Sequence, residues 1–255
     1  MELNGSSAVV TGGASGLGEA TVRALTDRGV RCTIFDRDAD KGEKLAAELG
    51  EGTSFVAGDV SDPDDAGRAV DMAAAAAPLR VAVNCAGIGW VSRVIDRNNK
   101  PHDLELFRTV LNVNLIGSFN VMRLAAAAMA ATDPLDDGER GAIVNTASVA
   151  AFEGQVGQIA YSASKGGIVG MTVPAARDLS AVGIRVNTIA PGLMDTPLLG
   201  LLPEENRKAL GAGVLFPKRL GYPEEFGQLV VSLAENSYIN GETIRLDGGL
   251  RMQPK

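Results

Sequence analysis

Tyr161 and Lys165 stand four residues apart in the stretch Tyr161-Ser162-Ala163-Ser164-Lys165. That spacing puts a phenol and an ammonium on one face of a helix. A phenol with a pKa near 10 is a weak base at neutral pH. An ammonium about 4 Å away, at an effective dielectric of about 20, favours the phenolate by about 4 kcal/mol. This lowers the pKa by at most about three, before the cost of desolvating the phenolate is set against it. Ser148 follows the run 142–147 a short way upstream, and its hydroxyl suits holding a substrate oxygen and stabilising a developing alkoxide. Asn114, in Asn112-Val113-Asn114, is placed to hold a water that links Lys165 to solvent. Each residue alone has a plainer reading: a chance pair on an exposed helix, a turn serine, a core amide satisfying backbone groups. As an ordered set they predict removal of a proton from an alcohol.

A Gly-rich turn, Thr11-Gly12-Gly13-Ala14-Ser15-Gly16-Leu17-Gly18, lies near the start of the chain. It follows an apolar strand at 8–11 and opens a helix, the context in which such a turn binds a dinucleotide. Gly12 permits the tight turn, Gly16 lets the backbone approach a pyrophosphate, and Gly18 lets the helix pack near the sheet. The free N–H groups of the helix start then face the phosphates, with Ser15 and Leu17 in the same cofactor-facing set. Asp36 ends the second strand, where a carboxylate accepts both ribose hydroxyls of NAD and repels the 2′-phosphate of NADP. Arg37 follows directly and softens that repulsion. Asp59 and Val60 end the third strand, where an adenine would lie, and Asn84-Cys85-Ala86-Gly87 ends the fourth. The expected cofactor is therefore NAD, and the expected chemistry is hydride transfer between it and an alcohol or ketone.

The elements that must position these groups alternate along the chain. Strand patterns fall at 8–11, 30–35, 53–57, 79–83, 142–145, 184–189 and 242–246. Helical patterns fall at 17–28, 41–49, from Asp62-Pro63, at 104–131, 159–181 and 224–234. Continuous apolar strands separated by helices indicate a parallel sheet covered on both faces. The predicted fold is α/β: a single-domain Rossmann architecture with a doubly wound, seven-stranded parallel sheet and helices on both faces. In such sheets ligands bind outside the carboxyl ends of the strands. One domain spans 1–255. Two segments, 88–103 and 192–222, are longer than a connection requires, and long ordered loops often carry function. In the second, Leu198, Leu199, Leu201, Leu202, Leu215 and Phe216 are read as an apolar substrate lid, or as helices whose apolar face is core.

Composition narrows the function classes. The 255 residues are 45% hydrophobic and 22% charged, enough for one large core, and only 4% aromatic, so Val, Ile, Leu and Ala must fill it. The net charge of −7 and the lack of a basic run argue against a nucleic-acid or anionic-membrane surface. The Ala-rich run at 73–77 is too short to span a membrane. Cys32 and Cys85 lack CxxC spacing and read as small buried residues of a reducing compartment. The expected setting is cytoplasmic. His102 is the only histidine, so a histidine base or His-rich metal site is not expected, and no metal is called for.

The motif set Thr11-Gly12-(three residues)-Gly16-Leu17-Gly18, Asn84-Cys85-Ala86-Gly87, Asn114, Ser148, Tyr161-(three residues)-Lys165 and Pro191-Gly192 resembles the short-chain dehydrogenase/reductase family over the whole chain. The resemblance implies a catalytic set of Asn114, Ser148, Tyr161 and Lys165. It implies cofactor contacts from Tyr161, Lys165, Pro191, Gly192 and Met194, and from Thr196 to the nicotinamide carboxamide. It places Gln155 with Ser148 and Tyr161 on the substrate side. The stretches 147–158, 162–172, 216–221 and 244–252, with the long loop 93–103 and the acidic insert 133–140, are similar to the branch of 3-hydroxyacyl-CoA dehydrogenases also counted among 17β-hydroxysteroid dehydrogenases. That implies reversible, NAD-dependent oxidation of a 3-hydroxyacyl-CoA to its 3-oxo form, and a homotetramer. Asp195 departs from the pattern, since a small residue is expected between Met194 and Thr196. Arg207, Lys208, Lys218 and Arg219 are read either as contacts to CoA phosphates or as a solvated helix face. Gly166, Gly167 and Gly170 allow a subunit interface or close packing on the sheet. The alternatives kept beside this reading are a hydroxysteroid or other secondary-alcohol dehydrogenase and, in a different class, a non-catalytic NAD-binding scaffold. A reductase of acyl-carrier-protein substrates, which usually prefers NADP, is disfavoured by Asp36.

Overall fold

The computed structural model describes residues 1–200 and 203–254. Seven strands run parallel: β1 (Ser7–Thr11), β2 (Arg31–Asp36), β3 (Thr53–Ala57), β4 (Leu79–Asn84), β5 (Gly141–Thr146), β6 (Ile184–Pro191) and β7 (Thr243–Leu246). Their order across the sheet is β3-β2-β1-β4-β5-β6-β7. The chain therefore winds outward from β1 in one direction, then returns to lay β4 against the other side of β1. This reversal opens a crevice at the carboxyl ends of β1 and β4.

Alternation along the strands explains why they read as unbroken apolar runs. Ala8, Val10, Val81, Val83 and Val144 turn into one helix layer, with α1 (Gly16–Thr26) and α9 (Pro223–Glu235). Val9, Ala82 and Ile143 turn into the other, with α3 (Pro63–Ala76), α5 (Gly117–Ala130) and α6 (Ile159–Ser180). Both faces exclude water, so most strand positions are apolar, and the buried polar ones, such as Asn84 and Asn145, hydrogen-bond each other. Helix α2 (Ala39–Leu49) covers the β3 edge. Its N-cap Asp38 accepts from Lys41 N, and Asp62 caps α3 by accepting from Asp64 N and Asp65 N.

The expected long helix at 104–131 is not one α-helix. Helix α4 (Leu104–Leu111) passes into a π-turn over Asn112–Ile116 and then into α5. Apolar residues are dense on both sides of the wide turn, so periodicity alone does not reveal it. By length and composition Leu104–Ala130 would pass for a membrane span, but half of its most apolar window is buried. That apolar face packs on β4, β5 and α3. The segment after β6 carries two short helices, α7 (Pro197–Gly200) and α8 (Glu204–Ala212). Leu201 and Leu202 of the expected lid lie outside the described residues, as does the side chain of Leu198.

Candidate active site

A cleft of about 940 Å³ lies along the carboxyl ends of the strands. Its first part is made from backbone. Gly16 takes a left-handed conformation at φ +55°, which a side chain would strain. At Gly18 a Cβ would stand 2.0 Å from the carbonyl oxygen of Gly12, so only glycine lets α1 come this close to the turn. Ser15 is the N-cap of α1, yet its side chain makes no capping hydrogen bond. Its hydroxyl and the free N–H groups of the first turn are thus left for a phosphate. Gly12, Ser15, Gly16, Leu17 and Gly18 all line the cleft.

Further along, the carboxylate of Asp36 is held in place by backbone N–H groups. Ala14 N donates to Oδ2 and Asp38 N to Oδ1, each at 3.0 Å. Asp59 accepts from the backbone and hydroxyl of Ser61. Val60 is buried against Gly117, where a Cβ would lie 2.5 Å from Val60 Cγ2. Arg37 is exposed and reaches toward Asp59, at 3.9 Å. Cys85, Ala86 and Gly87 line the cleft, but Asn84 does not. Its side chain turns into the sheet and donates to Asn145 Oδ1 and Ser118 O, so the cofactor role expected for Asn84 is replaced by a structural one. The cradle fits a dinucleotide: glycines where the backbone must be bare, an unspent hydroxyl, and a fixed carboxylate.

Ser148, Tyr161 and Lys165 line the same cleft, together with Pro191, Gly192, Met194 and Thr196. Lys165 is buried, and its Nζ donates to Thr146 O at 2.7 Å. It lies 5.7 Å from the centre of the Tyr161 ring. Burial pushes the Lys165 ammonium down to about 8. Burial also raises the pKa of Tyr161, with Ser148 opposing the rise. The expected lowering of the phenol by Lys165 is therefore not what the protein alone displays. The ammonium is tied to the β5 backbone, and desolvation of the phenolate prevails.

Asn114 is wholly buried beneath this group. Its Oδ1 accepts from Ile88 N at 2.8 Å, and its Nδ2 donates to Ile88 O and Ser164 Oγ. Both Nδ2 hydrogens are thus committed to protein partners. It pins the loop after β4 against α6, and Gly87 separates it from Lys165. A Cβ at Gly87 would meet Asn114 Oδ1 at 3.2 Å and Lys165 Nζ at 3.5 Å.

The substrate end differs most from expectation. Gln155 lies outside the cleft, with its Nε2 donating to Gln253 O; Gln158 lines the cleft instead. Trp90, Val91, Val149, Leu199 and Met252 complete the apolar wall. Leu199 is one of the leucines read as a substrate lid; sequence reasoning missed the other four, since no spacing marks them as cleft-facing. Leu215 and Phe216 stand exposed at 69% and 83% and do not line the cleft. Asp195 pairs with Arg207, Lys208 with Glu204, and Arg219 with Glu225 over the ring of Tyr222. Three of the four basic residues read as phosphate contacts are thus partnered by carboxylates, and Asp195 turns out of the cleft. Gly167 packs on Leu115, whereas nothing lies near a Cβ at Gly170.

A family model described as short chain dehydrogenase matches residues 6–207. The chain is 52% identical to human 3-hydroxyacyl-CoA dehydrogenase type-2 over 254 residues, covering 99% of this chain and 97% of that protein. It is 34% identical to a 3-oxoacyl-[acyl-carrier-protein] reductase of Thermotoga maritima, over 98% of this chain and 99% of that one. The crystal structure of 3-hydroxyacyl-CoA dehydrogenase type-2 from Mycobacterium avium superposes with a TM-score of 0.96 at 48% identity, covering 98% of both chains.

Proposed function

The chain belongs to the short-chain dehydrogenase family and is an oxidoreductase, and from that premise we propose that it oxidises 3-hydroxyacyl-CoA thioesters reversibly to their 3-oxo forms with NAD. The observation that carries the cofactor choice is the Asp36 carboxylate, held by Ala14 N and Asp38 N at the end of β2. A carboxylate so placed accepts ribose hydroxyls and opposes a 2′-phosphate. The substrate class rests on likeness to the type-2 dehydrogenases and on the apolar wall of Trp90, Val91, Leu199 and Met252 beside Ser148 and Tyr161.

The residues divide the work as follows. Gly16, Gly18 and the start of α1 would hold the pyrophosphate, and Asp36 the adenosine ribose. NAD, when bound, would supply the hydride acceptor and a positive charge. Ser148 Oγ holds the substrate hydroxyl and steadies the developing alkoxide. Tyr161 Oη takes the hydroxyl proton as general base. Lys165, anchored on Thr146 O, keeps a cation close to the phenol, and Asn114 fixes the loop that walls this group in. Homotetrameric assembly and a cytoplasmic setting belong to the same proposal. The apolar residues Ile116, Phe119 and Val173, exposed on the helical face, support the first. The free thiols of Cys32 and Cys85 support the second. Sedimentation reads the assembly directly.

The test is NADH formation from NAD and 3-hydroxybutyryl-CoA, with Tyr161→Phe as the control. The expected loss in kcat is about 10²–10⁴-fold, with NADH binding retained. No turnover by the unaltered protein, with NADH still bound, sinks the thioester assignment in favour of steroid or other secondary alcohols. Turnover that survives Tyr161→Phe removes the phenol from the mechanism.

A further inference from the structure

The segment after β7, residues 247–254, is tied down at four places. Beyond β7, Phe216 N donates to Gly248 O, and a Cβ at Gly248 would stand 2.5 Å from Val214 Cγ1. The segment therefore starts against the loop that follows α8. It then crosses to the loop after Ser148. There Met252 N donates to Glu153 Oε2, Gln155 Nε2 to Gln253 O, and Val156 N to Pro254 O.

A four-membered charge cluster fixes the crossing. Arg245 binds both oxygens of Glu153, at 3.1 and 3.2 Å, and donates through Nε to Asp247 Oδ2 at 2.7 Å. Its Nη2 also donates to Leu250 O, inside the tail itself. Arg251 reaches the same two carboxylates. Two guanidinium groups thus meet two carboxylates, and the Asp247 side chain is only 7% exposed. Planar, two-point arginine–carboxylate pairs of this kind define orientation as well as energy.

What this strap contributes to the cleft lining is a single residue. Among the described residues, Met252 is the one cleft-lining residue beyond Leu199. It shares the cleft with Ser148, Tyr161 and Gln158. A thioether on an unbranched stem fills an irregular apolar gap and limits what else fits there.

We propose that Met252 determines substrate size at this site, and that Glu153 and Arg245 are positioning residues that hold it there through the tail. The proposal rests on the thioester reading for its choice of substrates. It predicts that Met252→Ala favours long acyl chains over short ones and that Met252→Trp does the reverse.

The experiment measures kcat/KM for 3-hydroxybutyryl-CoA and 3-hydroxydodecanoyl-CoA, with NADH binding followed by fluorescence. The long-to-short ratio should rise by about tenfold in Met252→Ala and fall by about tenfold in Met252→Trp, the scale of one or two methylenes in an apolar pocket. Glu153→Gln should move the ratio in the direction of Met252→Ala, mainly through KM, and Glu153→Asp should restore part of it. A ratio constant within about twofold across both Met252 variants, with NADH binding intact, overturns the proposal. If Met252→Trp does not fold, Met252→Leu, which conserves volume, and Met252→Ala decide it: Leu should keep the ratio and Ala should shift it. If the unaltered protein turns over neither thioester, the thioester reading fails separately. The same ratio is then taken across apolar secondary alcohols of increasing length, where a constant value again overturns the role of Met252.

Discussion

At the nucleotide end of the cleft the walls come from successive strand ends: the turn after β1, Asp36 after β2, Asp59 and Val60 after β3, and Cys85 to Gly87 after β4. At the substrate end they come from four remote segments, represented by Trp90, Gln158, Leu199 and Met252. The first end is shaped by backbone: a bare Gly18, a left-handed Gly16, and N–H groups that aim a carboxylate. The second is shaped by side chains on loops and helix starts, with Leu199 on the short helix α7 and Gln158 at the N-cap of α6. A ligand gripped through the backbone demands glycines and short spacings. A pocket assembled from loops imposes no such spacing, and its chemistry varies without disturbing the sheet.

Charge at the nucleotide end gives the sharpest way to break this contrast. Asp36→Asn keeps the shape and one acceptor for Ala14 N or Asp38 N, and removes the repulsion of a 2′-phosphate. The ratio of kcat/KM for NAD to that for NADP should fall by at least about tenfold, since a like-charge clash costs several kcal/mol. Arg37, exposed beside Asp59, is then free to meet the phosphate. An unchanged ratio would mean that the selectivity lies elsewhere, and that this end too is read by side chains not yet identified.

The contrast also accounts for what was legible in the sequence. Thr53–Ala57 and the start of α3 at Pro63 agree with expectation, because apolar runs and an Asp-Pro cap are local signals. The glycine turn, Asp36, Ser148, Tyr161 and Lys165 also follow from local signals, and the structure brings all of them to one cleft. The π-turn at Asn112–Ile116 was not, because apolar residues are dense on both sides of it and a single wide turn has no composition signal of its own. Asn84 was misplaced because a strand's side chains alternate, and its own turns inward while Cys85 turns toward the cleft. Gln155 and Gln158 sit in one loop, and only tertiary contact with Gln253 draws the first away. The partners of Arg207 and Arg219, Asp195 and Glu225, likewise arise from the folding of a long segment that has no period.

Between the two ends, Lys165 offers a pH test. Burial holds its pKa near 8, against an ordinary 10.5, so the folded protein loses this proton at lower pH than the unfolded chain does. Between about pH 8 and 10 the unfolded state binds more protons, and stability should rise with pH. The gain is at most about 3 kcal/mol. Lys165→Met should abolish that portion of the slope, read as the difference in Tm between the two proteins at pH 7.5 and 9.5, both about these values. Parallel Tm curves would show that Thr146 O compensates the buried ammonium fully, and that the centre of the cleft is less desolvated than its burial indicates.

The smallest effect is expected at Asp195, where a carboxylate near the nicotinamide or the thioester would have been decisive. Its side chain instead pairs with Arg207, both about one-third exposed, and its N–H donates to Gly221 O. A pair so exposed contributes about 0.2–1 kcal/mol. Asp195→Ala should therefore lower Tm by no more than about 3 °C, at the scale of a chain this long. It should leave kcat/KM within about twofold, with the backbone link to Gly221 still holding Met194 in the cleft wall. A tenfold change in kcat/KM would mean that the substrate draws Asp195 inward. The substrate end would then be formed by the bound molecule itself, and its difference from the preformed nucleotide end would be one of timing as well as construction.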